Sequence, residues 1–127
     1  MNKSYRSTIK DGREIYIPTW PVDVALQNLT RAGKLIGTNS IIQIAELNVA
    51  ASIVAVMQCE DPATVSAMIK HFVCQVRIDG SKITPDTINE MFSGDLHGVV
   101  ELFTHVIHSQ YSDFFDLGLA KVNSQEQ

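Results

Sequence analysis

Residues Ser4 to Gly37 read SYRSTIKDGREIYIPTWPVDVALQNLTRAGKLIG, and this stretch decides the fold class. Asp11-Gly12 lies between two β-rich runs, Ser7-Thr8-Ile9 and Glu14-Ile15-Tyr16-Ile17. That pattern predicts a hairpin over about 5–18 with a type I′ turn, because such a turn needs two residues that tolerate positive φ. The Pro18-Thr19-Trp20-Pro21 corner follows. Pro21 suits the first position of a helix, where its missing N–H costs nothing. Val22, Ala25, Leu26, Leu29, Ala32 and Ile36 then recur at helical spacing. Asp23 in the first turn and Lys34 in the last agree with the helix dipole, and Gly37 is the expected stop. An isolated hairpin is only marginally stable in water. It must pack on the helices or pair with a further strand, a neighbouring subunit being one source.

Downstream the pattern is helical. Asn39 or Ser40 is the expected cap of a helix over Ile41 to Gln58, whose apolar residues cover more than one face and so mark a central helix. Asp61-Pro62 and Thr84-Pro85 each read as a cap followed by proline at the first helical position. Between them, Val76 to Ile83 repeats the Asp-Gly signal and is a candidate second short hairpin or an irregular loop. After a break at Gly94, Asp95 caps a helix from Leu96 to Gln110 with Val99, Leu102, Phe103, Val106 and Ile107 on its core side. Ser112 or Asp113 then begins a final turn holding Phe114, Phe115 and Leu117. The expectation is a mainly α domain of about five helices with an N-terminal hairpin. It spans residues 1–118, with a flexible polar tail at 119–127.

The chain has 127 residues, a formal charge of −4 and a pI near 5.4. That length suits one domain with its own core. The acidic balance argues against a nucleic-acid binder, which needs a basic face to displace counterions. The most apolar stretch, Ile41 to Met57, is interrupted by Gln43, Glu46, Asn48 and Ser52, so no membrane span is expected. No secretory leader is read at the N-terminus. Cys59 and Cys74 fit neither a redox pair nor a zinc pattern, and are expected as buried reduced thiols of a cytoplasmic protein.

Candidate chemistry is sparse. His97, Glu101, His105 and His108 share one helical stripe. They form either a metal face or the solvated side of an amphipathic helix, and the clear core stripe opposite favours the solvated side. His71 lies three residues before Cys74, but no glycine-rich oxyanion pocket accompanies that pair. There is no phosphate loop, dinucleotide fingerprint or calcium loop. No catalytic residue, metal ligand or cofactor is assigned, and an enzyme is not expected. The recognition candidates are aromatic. Trp20 either staples the start of the first helix or anchors a partner. Tyr111, Phe114 and Phe115 either close the core or form an exposed patch.

Three blocks carry a resemblance. They are Ile15-Tyr16-Ile17 with the helix from Ala25 to Gly37, then Val76-Arg77-Ile78-Asp79-Gly80 with the helix after it. The third is Leu102-Phe103-Thr104-His105-Val106-Ile107 running into Tyr111-Ser112-Asp113-Phe114-Phe115. From about Arg13 to Phe115 the chain resembles the small tail assembly chaperones of long-tailed bacteriophages. Gln110-Tyr111 stand where that family carries Asn-Phe. The resemblance implies a helical protein that binds the tape measure protein, keeps it soluble and helps recruit tail tube protein. It also implies a homo-oligomer working in the host cytoplasm, with no membrane or nucleic-acid partner. A different small acidic adaptor, serving a secretion system or a baseplate, is the alternative. A metal- or thiol-dependent enzyme is a third.

Overall fold

Two hairpins join into a single four-stranded antiparallel sheet in the computed structural model, which describes residues 4–126, and their side chains as far as 119. Strands β1 (Ser4–Thr8) and β2 (Glu14–Pro18) form the first hairpin, and β3 (Arg77–Ile78) and β4 (Ser81–Lys82) the second. Ile15 of β2 pairs with Ile78, and Tyr16 with Arg77, so the partner strand for the first hairpin comes from the same chain. The sheet order is β1-β2-β3-β4. The mainly α class holds, with this small sheet as its β component.

The turns reverse the sequence reading. Gly12 donates its N–H to Ile9 C=O and has φ 94, but Asp11 is not among the positive-φ residues. The loop is therefore Lys10-Asp11-Gly12, a three-residue turn with glycine in the left-handed position, not type I′. The type I′ turn belongs to the second hairpin, where Asp79 has φ 49 and Gly80 φ 87.

Six helices follow the chain: α1 (Val22–Ile36), α2 (Thr38–Ile44), α3 (Val49–Met57), α4 (Pro62–Val73), α5 (Pro85–Met91) and α6 (Leu96–Glu126). The expected caps act at α4, α5 and α6. Asp61 accepts from Thr64 N–H, Thr84 forms a capping box with Thr87, and Asp95 accepts from Gly98 N–H at 3.0 Å. Gly37, at φ 90, ends α1 and immediately begins α2 with no side-chain cap, so neither Asn39 nor Ser40 serves there.

The helix expected over Ile41 to Gln58 is two helices. Leu47 stands at φ 64, and the Asn48 side chain accepts from Ala51 N–H at 3.0 Å, starting α3 afresh. Asparagine competes well for backbone N–H groups, and here it wins against an apolar pattern that runs straight through. Nor is this segment the centre of the molecule. Only Ser52 and Ala55 of α3 are buried.

The centre is α6, in which every residue from Leu102 to Ile107 is buried. It touches the other layers in turn. Phe103 stacks near Phe72 of α4, with centroids 5.4 Å apart, and Thr104 Oγ1 bonds Ser52 Oγ of α3 at 2.6 Å. The helix does not break at Ser112 or Asp113. No glycine or proline interrupts 99–117, and Tyr111 and Phe115, four residues apart, extend its packed side. The helix is assigned to Glu126. The side chains of 120–127 lie outside the described residues, and with them the tail expected at 119–127.

Candidate partner-binding surface

The polar stripe of α6 is solvated only at its start, where His97 is exposed; Glu101, His105 and His108 form a packed seam, and the first two fasten the N-terminal hairpin. Glu101 accepts the Lys10 N–H with both carboxylate oxygens, at 3.1 and 2.9 Å. His105 is 8 % exposed and shares a 2.9 Å hydrogen bond with the Tyr5 hydroxyl. His108 Nδ1 donates to Ala45 C=O at 2.7 Å. One turn on, Gln110 accepts from Trp20 N–H and donates to Pro18 C=O, holding both sides of the corner. Only His97 and Glu101 approach as an ion pair, at 3.8 Å. Among the described residues, no group of three or more His, Cys, Asp or Glu converges as a metal site. Sequence spacing placed these side chains in a row. It could not show that the row faces a hairpin 100 residues away.

Burial of His105 disfavours its charged form and lowers its pKa, with Glu101 opposing weakly and His108 adding to the lowering. The unfolded chain therefore binds this proton more tightly than the folded one. The stability contribution is complete above the unfolded value, about pH 6.5, and is lost as pH falls below it. The melting temperature should drop between pH 7.5 and pH 5.5, and the drop should shrink in His105→Asn. Thermal melts of both proteins across that range check it. An equal drop in the variant would place the acid sensitivity elsewhere.

The aromatic candidates divide. Trp20 is 8 % and Tyr111 3 % exposed, so both belong to the core rather than to a displayed anchor. Trp20 meets Phe72 edge-on at 5.3 Å and Tyr111 at 6.2 Å. Tyr111 donates its hydroxyl to Ala25 C=O at 2.7 Å, and burial pushes its pKa well above the usual phenol value. Phe115 is half-buried beside α1 and α2, near Leu29 and Ile41. Phe114 is 58 % exposed, its ring 5.5 Å from Phe115. The line of rings thus runs from the core out to one exposed member.

The thiol reading fails on geometry and on charge. His71 Nε2 faces Asn28 Oδ1 at 3.2 Å, a tie between α4 and the buried Asn28 of α1. Burial raises the pKa of Cys74, against a weaker opposing effect of Lys82, and so disfavours the thiolate that a nucleophile needs. Both cysteines are free and half-buried.

What the sequence did not pick out is an apolar groove of about 670 Å³ between α3, α4, α5 and α6. Val56, Val65, Ile69, Ile88, Phe92 and Val99 line it, and Leu96, 77 % exposed, stands at its edge. The same α3 that contributes Val56 also displays Ile53, Val54 and Met57 to solvent, the last 77 % exposed. The signal was present in the all-round apolar pattern of 49–57, which was assigned to the core. No helix among the described residues is long and apolar enough to cross a membrane.

A sequence-family model described as "Phage tail assembly chaperone protein, TAC" matches residues 11–121. No curated protein and no solved structure matches the chain.

Proposed function

The chain belongs to the phage tail assembly chaperone family, and from that premise we propose that it binds and keeps soluble the tape measure protein of its phage. In this reading it associates with itself along that client, helps recruit tail tube protein, and acts in the host cytoplasm. The observation that carries the reading is the apolar groove between α3 and α6 with Leu96 exposed at its edge, together with the exposed Ile53, Val54 and Met57 on the same α3. Exposed apolar surface of this kind marks a binding site rather than an ordinary face. A groove between helices takes the apolar stripe of another helix, read at every third or fourth residue. A long helical client offers that stripe many times over, and repeated weak contacts along one chain give avidity.

The β1 edge is one place where copies meet by strand pairing, since among the described residues Ser4–Thr8 pairs on one side only. Phe114 is the other, as the exposed end of the aromatic line. Co-expression with the tape measure protein in a bacterial host tests the role. The client should move from the pellet to the soluble fraction and co-purify with this chain. An insoluble client together with a chain that stays monomeric at high concentration would overturn the reading.

A further inference from the structure

Charge in this molecule is divided by architecture. The sheet segments, residues 4–18 and 76–82, hold five Lys and Arg against three Asp and Glu. The remaining chain holds five against eleven. On the solvent side of the sheet the cations form a row. Arg6 of β1 stands opposite Tyr16 of β2, Tyr16 opposite Arg77 of β3, and Arg77 opposite Lys82 of β4. Directly opposed residues share a face, and Ile15, Ile17 and Ile78 occupy the other, core-facing side. The Arg6 guanidinium lies over the Tyr16 ring, 5.2 Å from its centroid. Arg6, Arg77 and Lys82 form no salt bridge among the described residues, where the ion pairs are those of Arg13 and His97. A shallow depression of about 770 Å³ lies over this face, bordered by Arg6, Glu14, Tyr16, Pro18 and Arg77, so one carboxylate stands at the rim of the cationic row.

The complement stands at the other end of the same molecule. On α6, Asp116, Asp113, Leu117 and Phe114 fall on one continuous arc of the helix. All four are exposed, Leu117 by 75 %. The strip therefore sets two carboxylates beside two large apolar groups. The sheet row sets three cations beside an aromatic ring and a proline. Four strands span about 14 Å, enough for one helix, about 10 Å across, to lie on the row. Arginine offers a fork that matches a carboxylate with two parallel hydrogen bonds.

We propose that the solvent face of the sheet, through Arg6, Tyr16, Arg77 and Lys82, receives the Asp113–Leu117 segment of α6 from a second copy of this chain. The two surfaces differ, so the contact is head-to-tail and extends to an open array or a ring rather than closing as a two-fold dimer. The inference rests on the self-association in the proposed function and gives it a surface and a polarity.

Sedimentation velocity on the full chain tests it. Wild-type association should weaken as salt is raised from 50 to 500 mM, about tenfold or more for a contact of several charge pairs. Arg6→Glu/Arg77→Glu and, separately, Asp113→Lys/Asp116→Lys should each associate far more weakly than the wild type, with unchanged circular dichroism. Mixed in equal amounts they should associate again, because each variant then meets an oppositely charged surface. Wild-type-like association of either double variant overturns the proposal while leaving self-association intact. Failure of the mixture to recover also overturns it, and points to an acidic partner other than this chain. A wild type that stays monomeric at every concentration removes both this proposal and the self-association, whereas client solubilisation is read in a separate experiment.

Discussion

Trp20→Ala should lower the unfolding free energy by about 3–5 kcal/mol, the usual cost of removing a large buried aromatic and leaving its cavity. The Trp20 ring is 8 % exposed and packs edge-on against Phe72 and Tyr111, and its backbone N–H is held by Gln110. These contacts join four parts of the molecule: the β2 end, α1, α4 and α6. A domain of this size has about 5–15 kcal/mol in total, so the variant is expected to be partly unfolded at 37 °C. Urea unfolding followed by circular dichroism measures the loss. Trp20→Phe keeps most of the apolar volume and should cost much less. If Trp20→Ala proved as stable as the wild type yet lost client binding, Trp20 would be an anchor after all and the packing account would fail.

The corner around Trp20 shows what the sequence made legible. Prolines, Asp-Gly pairs and cap residues act over three or four positions, so Asp61, Thr84 and Asp95 could be placed from the chain alone. Periodicity told helix from strand but not inside from outside. The run Val49–Met57 is apolar on every side, a pattern that predicts a core helix, yet only Ser52 and Ala55 are buried. The stripe of His105 and His108 is polar, a pattern that predicts a solvated face, yet it is packed against Tyr5 and Ala45. Both errors have one physical cause. Whether a face is buried depends on what the rest of the chain brings to it, and the two hairpins joining through Ile15 and Ile78 are separated by some 60 residues. The seam of α6 exists because the first hairpin brings the Tyr5 hydroxyl and the Lys10 N–H against it, and both need polar partners there. The exposed face of α3 exists because α6, not α3, took the central position.

That exchange of roles leads to the second large effect. Leu96→Glu combined with Met57→Glu should leave the fold within about 0.5 kcal/mol of the wild type, since both side chains are 77 % exposed and give up little packing. The same pair should abolish solubilisation of the tape measure protein. An apolar helix laid along the groove would bury two carboxylates without partners, at a cost of several kcal/mol, which is more than a hundredfold in affinity. Avidity sharpens the result, because a defect repeated in every copy multiplies along the client. Co-expression followed by centrifugation reads the soluble fraction of client, and a melt of the purified variant confirms that it is folded. Phe114→Lys serves as the comparison, since Phe114 lies on the α6 end rather than in the groove, and a cation there would be repelled by the Arg6–Arg77 row. It should weaken association between copies while leaving single-site binding of a client helix in place. A folded double variant that still solubilises the client would take the groove out of the mechanism and leave the exposed end of α6 as the surface to pursue.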